Sequence, residues 1–382
     1  MSRTNGSGSK VLAGFAALAI AAGTISAVAF SGSASAATEA PGVTAAKKVV
    51  SYLSTPPKTI PITVPLSKRP PTGIKVFMVH AASADATRIE SGFLAGTKVL
   101  GWSGQALTYA SNPADSVGLV SKAIQQGANY IYIMGVDTKI AQPAIDAAKA
   151  AGIPVFMSTS DGTPAGPANN IYSGVSRSSE YVQRGIVAAD AVTANSNGKA
   201  KTLLFTVPQF GIFQIYEQGF RDEYAKNCVG CTLDVFGAPY GDVLSGKASS
   251  GVMAYLRTHP EINQIACVNG TWCLDFPSKA ATAGINISPT GVGFSLSGTN
   301  VANEPQIVSG IIQSSIAVPL EYSGWQVVDA MARYSVKDSL VPNWTARLPL
   351  FMWTPKNMTL TSPMYAGPAN YTGAFKKLWK RG

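Results

Sequence analysis

Residues able to do covalent chemistry are scarce in this chain, which holds only two histidines, His80 and His259. His259 lies in THPEIN, between a predicted helix and a predicted strand, and reads as a turn residue. His80 closes the first apolar run, where it would line the mouth of any cleft beyond that strand. The segments GFSLS and GVSRS lack the final glycine of a nucleophile elbow. No P-loop, G-x-G-x-x-G or zinc-type Cys/His spacing is present. The expectation is therefore no enzyme, no metal and no cofactor. What remains is chemistry for non-covalent recognition. Ser83 and Asp85 follow the first apolar run, and Thr159, Ser160 and Asp161 follow IPVFM. Gln209, Phe210, Phe213 and Gln214 fall in the expected loop before YEQGF, while Asn269 and Trp272 follow IACV. Aromatic rings stack on a ligand ring, and amides, hydroxyls and carboxylates bond its polar edge. The same Ser, Thr and Asp residues also serve as caps of the turns they occupy.

The cysteines Cys228, Cys231, Cys267 and Cys273 are even in number, and three pairings are open. On chain entropy alone, the short loops contribute about 2 kcal/mol each and a long 228–273 link about 4 kcal/mol. Against that, Cys228 is expected to end a helix and Cys267 to lie in a strand, which favours Cys228–Cys231 and Cys267–Cys273. A redox role for the CxxC is disfavoured, because reactive pairs sit at helix N-termini and Cys228 follows one.

Those candidates need positioning elements, and the sequence between them supplies a repeating pattern. Tyr130–Met134 is a β-branched and aromatic run of the kind buried on both faces of a sheet. Asp137 or Thr138 then caps a helix whose inward face is expected at Ile140, Ala144, Ala147 and Ala151. Gly152 closes it and Ile153–Met157 begins the next strand. Strand–helix–strand crossovers of this type build parallel sheets that bind ligands beyond the strands' carboxyl ends. The unit recurs before it at Ile74–Val79 and Ala106–Ala110, and after it at Ile171–Val175. It returns at Thr202–Val207, Leu233–Phe236, Ile265–Val268 and Val292–Phe294. Two groups of α/β units imply two lobes with a cleft between them.

The chain's ends and charge set further limits. Arg3 and Lys10, the apolar Val11–Phe30 and the small residues Ser33-Ala34-Ser35-Ala36 read as a signal peptide over residues 1–36. The expected product is exported, periplasmic or extracellular, and not lipid-anchored, since no cysteine lies near that site. Residues 37–72 read as an N-terminal extension, with a short helix Ala45–Leu53 and a Pro-rich stretch expected to pack poorly. The formal net charge of +10 falls to +8 without Arg3 and Lys10. The positive charges are scattered rather than gathered on one face, so no nucleic-acid partner is expected.

The segments GIKVFMVHAASADATRIESGFLAGTKVLGW, QQGANYIYIMGVDTKIAQPAIDAAKAAGIPVF and YSGWQVVDAMARY resemble type I periplasmic sugar-binding proteins. So do YEQGF, LRTHPEINQIACVNG and VGFSLSG, all in the order of the ribose-binding protein family. The resemblance implies an α/β, two-lobed, periplasmic-binding-protein-like type I fold (Venus flytrap), each lobe a parallel sheet flanked by helices. It implies lobes formed by 73–174 plus 316–348 and by 175–315 plus 349–382, with crossings near Gly174, Ser315 and Leu348. It also implies a monomer that delivers a small molecule to an ABC transporter permease in the membrane. A ligand-presenting sensor is the alternative, and a secreted hydrolase a more distant one. Relatives place an Asp-Arg pair where this chain has Thr159 and Ser160, and an Asp where it has Ser295. Asn269 corresponds to a ligand-binding Asn of the family. The missing charges imply a less polyhydroxylated ligand than ribose.

Overall fold

The computed structural model describes residues 39–110, 112–157, 163–173 and 178–382. The expected signal peptide, Thr159, Ser160, Asp161 and the crossing at Gly174 lie outside the described residues. Chain order begins with helix α1 (Pro41–Leu53), strand β1 (Lys75–Ala81), helix α2 (Ala84–Leu100) and strand β2 (Ser103–Tyr109). Next come α3 (Ser116–Gln125), β3 (Tyr130–Ile133), α4 (Thr138–Ala150), β4 (Val155–Met157) and β5 (Ile171–Ser173). The five strands form one parallel sheet in the order β2-β1-β3-β4-β5.

The second series is α5 (Ser178–Asn195), β6 (Lys201–Thr206), α6 (Gly211–Asn227) and β7 (Thr232–Gly237). It continues through α7 (Tyr240–Leu244), α8 (Lys247–Thr258), β8 (Gln264–Cys267), α9 (Phe276–Thr282) and β9 (Gly293–Ser297). Last are α10 (Glu304–Val308), β10 (Ser314–Ala317), α11 (Leu320–Ser335), α12 (Val341–Trp344), β11 (Phe351–Trp353) and α13 (Tyr371–Leu378). The second sheet runs β11-β10-β9-β8-β6-β7, parallel except for the antiparallel edge strand β11. Inner strands β8, β9 and β10 are buried along their whole length, whereas edge strands β2 and β7 are partly exposed. That gradient is what burial between two helical layers dictates.

In each half one helix pair crosses without side chains between the backbones. A Cβ on Gly92 of α2 would collide with the Glu321 carbonyl of α11, and one on Gly324 with the Ile89 carbonyl. Gly185 of α5 faces the Tyr216 carbonyl of α6 in the same way, and Gly219 faces Val182. Arg88 locks the first crossing with a bidentate pair to Glu321, at 2.8 and 2.7 Å. A buried network then fastens the chain's last helix. Arg333 Nε donates to Asp329 Oδ2 at 2.8 Å, and Trp379 Nε1 donates to Asp329 Oδ1 at 2.8 Å. Asn343 Nδ2 donates to the same carboxylate, and Arg333 Nη2 reaches the Val64 carbonyl at 2.6 Å.

Three local expectations are corrected. The buried stripe of α4 is Ala141, Ala144, Ile145 and Ala148, while Ile140, Ala147 and Ala151 turn outward. In an alanine-rich helix two registers look alike, and only the position of the sheet selects one. Helix α6 begins at Gly211, so Phe213 and Gln214 stand in its first turn rather than in a loop. The Pro-rich stretch is also well packed, for Ile60, Ile62 and Leu66 are buried in the largest core cluster. Residues 349–382 were expected with the second lobe. Strand β11 does extend the second sheet, but α13 packs on α11, and Arg381 Nη2 donates to the carbonyls of Pro70 and Leu100.

Two outcomes follow for stability. Asp329→Ala leaves the Arg333 guanidinium buried without its carboxylate and should cost about 3–5 kcal/mol in denaturant melts. Asp190 of α5 is buried, and this pushes its carboxyl up from 3.8 to about 6, although Asn227 Nδ2 donates to it. An acid raised in the native state favours folding while protonated. That stability is full below the unfolded value of 3.8 and is lost as pH rises through about 6. Asp190→Asn should therefore raise the melting temperature at pH 7 and flatten the pH dependence between those two values. A wild-type protein with no decline across that window would contradict the assignment.

Candidate functional site

The two sheets reverse strand order at β1/β3 and at β6/β8, the points where an open α/β sheet leaves a crevice. A cavity of about 730 Å³ opens where the carboxyl ends of both sheets meet. One wall comes from the turns after β1, β2 and β3, through Ser83, Asp85, Tyr109 and Asp137. The other comes from the first turns of α5 and α6 and the turns after β7 and β8.

The second wall is aromatic. Trp272 stacks on Phe210 with centroids 6.0 Å apart and 27° between planes, and it meets Phe213 edge-on at 4.9 Å. Tyr240 closes on both Phe210 and Trp272, at 5.4 and 5.7 Å. Tyr181 extends the cluster, perpendicular to Phe213 at 5.9 Å. Three rings thus surround the indole and Tyr181 backs one of them, so they hold one another in place and offer faces and edges to a flat ligand.

Polar groups gather around Tyr181. The Arg184 guanidinium carbon sits 4.8 Å from its ring centre, and Arg184 Nε and Nη2 donate to Ser297 Oγ at 3.2 and 3.1 Å. Burial pushes the Tyr181 phenol up to about 12; Arg184 pulls it back, while Glu180 and Asp85 push it further. Asp85, which belongs to α2 of the opposite wall, lines the same cavity as Tyr181. Burial also lifts Tyr109 to about 12, so both phenols remain protonated donors at neutral pH.

The expected residues divide as follows. Ser83, Asp85, Phe210, Asn269 and Trp272 all line the cavity. Ser83 also caps α2, its Oγ accepting from Ala86 N at 3.1 Å. Asn269 Oδ1 accepts from Thr271 N at 2.9 Å and so caps the short turn that follows β8. Gln214 does not line the cavity; it is exposed and donates to the Pro208 carbonyl at 2.8 Å. Ser295 sits inside β9 rather than at its end. It is buried, accepting from Ser314 Oγ at 2.9 Å and from Asn195 Nδ2 at 3.3 Å, and the cavity is reached only at Gly298 and Thr299. Neither histidine lines the cavity: His80 Nε2 lies 3.1 Å from Glu90, and His259 stacks on Tyr255. The sulfurs of Cys228 and Cys231 are paired, as are those of Cys267 and Cys273, and the second pair flanks Trp272. Among the described residues no cluster of His, Cys, Asp or Glu is arranged to hold a metal ion.

Sequence reading missed Tyr109, Tyr181, Arg184 and Tyr240. Tyr109 and Tyr240 were within reach, since each lies at the end of, or just after, a strand already recognised. Tyr181 and Arg184 gave no such signal, because their helix position is equally that of a core residue.

Residues 75–338 match the family model of the periplasmic binding protein domain. The chain belongs to the periplasmic binding protein family. This binding protein has the two-lobed type I, ribose-binding-like fold, with two mostly parallel sheets flanked by helices. It is similar to the glucose-galactose binding protein of Geobacillus stearothermophilus, with a TM-score of 0.64 at 15% identity over 75% of this chain and 99% of that one. It is also similar to a solute-binding protein of Agrobacterium vitis bound to α-D-tagatopyranose, with a TM-score of 0.63 at 19% identity over 77% and 98%. A periplasmic ribose ABC transporter protein of Conexibacter woesei gives 0.62 at 14% identity over 82% and 98%. At such identities the likeness is one of fold. No curated protein matches this binding protein's sequence.

If the cavity is the binding site, Trp272→Ala should weaken a bound ring by about 1–3 kcal/mol through lost stacking and burial. Ser295→Ala should leave affinity within error, because Ser295 faces Ser314 and Asn195. Titration calorimetry on both variants decides this, and equal losses would refute the placement of the site.

Proposed function

We propose that the protein is an exported solute-binding protein that holds a sugar-like small molecule between its lobes and delivers it to an ABC importer. The observation that carries this reading is the cavity itself. Hydrogen-bonding groups of one sheet's carboxyl ends face an aromatic wall at the other's, so a ligand that touches both favours the closed state. The sugar-bound relative of Agrobacterium vitis supports the ligand class, and transport relatives support the partner. In this reading Asp85 and Tyr109 act from one lobe, and Asn269, Arg184 and Trp272 from the other. Thr159, Ser160 and Asp161 belong to the same carboxyl edge by sequence and are proposed to join them. The first lobe is proposed to comprise β1–β5 with α11 and α13, and the second β6–β11 with α5. Both cysteine pairs are proposed to be oxidised in the exported protein, with Cys267–Cys273 holding Trp272 in place. Among the described residues no helix is long and apolar enough to cross a membrane.

A thermal-shift screen over sugars, polyols and aryl glycosides tests this directly, because a ligand bound only by the native state raises the melting temperature. A stoichiometric hit, recovered unchanged after long incubation and lost on Asn269→Ala together with Trp272→Ala, is the expected result. Turnover of that compound would overturn the binding-only reading.

A further inference from the structure

The N-terminal extension precedes the family match, which begins at residue 75, yet it is bonded to both halves of the molecule. Its first part belongs with the second sheet. Helix α1 packs on α5 and α6 and buries Val43 and Ala46. Gly42 lies so close to the backbone of Asn227, at the end of α6, that no Cβ would fit there. Just beyond the helix, the Ser54 carbonyl accepts from Asn357 Nδ2, next to β11, at 3.0 Å.

Its second part belongs with the first sheet. The Val64 carbonyl accepts from Arg333 of α11 at 2.6 Å, and Leu66 N donates to the Leu378 carbonyl of α13 at 2.9 Å. Ser67 N donates to Asp338 at 2.7 Å, and Trp102 Nε1 donates to the Pro71 carbonyl at 2.7 Å. Between the two anchors run residues 55–59, largely exposed and containing Pro56-Pro57. Two consecutive prolines favour a stiff, extended backbone at about 3.1 Å per residue.

A short stiff segment with one end fixed to each half limits how far the halves can separate. We propose that residues 41–72 are an interlobe brace that restricts opening of the free protein. This rests on the two-lobe, ligand-closing reading above. The brace precedes the family match and stands apart from the cavity wall, so it adjusts opening without altering that wall: no residue of 41–72 lines the cavity.

The test is to slacken the brace while keeping both anchors. A flexible Gly-Ser insertion of about a dozen residues between Pro57 and Lys58 adds roughly 20 Å of reach. Spin labels at Gln125→Cys and Arg257→Cys, exposed positions on α3 and α8, report the distance between halves in the full exported chain. A second variant, Gly42→Val, should free the α1 end by steric clash and give the same shift without a change in linker length. Longer and broader separations in both variants, with circular dichroism unchanged, are the expected result. Should the wild type already span a broad range that the insertion does not alter, the brace is wrong and the two-lobe reading stands. Should wild type and variants all give one narrow distance that no screening hit shifts, the halves do not move and both readings fail.

Discussion

The contact on which most of this structure depends is backbone against backbone, at the glycine crossings of α2 with α11 and of α5 with α6. Helices normally stand 8–10 Å apart because side chains fill the gap. Gly92, Gly324, Gly185 and Gly219 remove those side chains, so each pair is fixed in translation and rotation by carbonyl and Cα surfaces. The consequence reaches the cavity. Ser83 and Asp85 lie at the start of α2, Glu180, Tyr181 and Arg184 in the first turns of α5, and Phe213 in the first turn of α6. Leu320 and Ser323 of the first turn of α11 line it too, so all four helices carry cavity residues at their N-termini, and a bulkier residue at a crossing would displace the cavity along with the packing.

Aromatic residues are used differently in the two halves. In the first, Trp102, Tyr130, Phe156, Tyr172 and Tyr334 form edge and tilted contacts of 4.7 to 5.9 Å away from the cavity. Trp325, Phe375 and Trp379 stack nearby to dock α13 on α11, with Asp329 receiving the indole N–H of Trp379. The second half has buried pairs of its own, such as Phe276 with Phe205 and with Phe294, but it also brings Phe210, Phe213, Tyr240 and Trp272 to the surface of the cavity.

Much of the fold was legible in the chain because strand–helix–strand units are written in local patterns. The apolar runs, the glycines that close α2 and α4, and the order of the crossovers all act over fewer than about twenty residues, the scale of propensity and capping. The carboxyl-end rule then located Ser83, Asp85, Phe210, Asn269 and Trp272 without knowledge of the fold's detail. It failed at Gln214, where the helix starts earlier than its apolar pattern suggested, and Ser295, named from the family resemblance, lies inside a strand that continues past the expected end.

The sequence by itself determined the alternation of elements and the number of sheets, while it left three cysteine pairings open. Only the tertiary structure decided which face of α4 is buried, since its alanines support two registers and contact with the sheet selects one. Only it joined Arg184 to Ser297, 113 residues apart, and brought Asp85 close enough to shift the Tyr181 phenol. It also turned a Pro-rich stretch of apparently loose composition into a packed strap, through bonds from Val64 and Ser67 to residues more than 260 positions away. The physical reason is the range of the forces involved. Propensity and periodicity are set by near neighbours in the chain, whereas burial, ion pairing and ring stacking are set by neighbours in space.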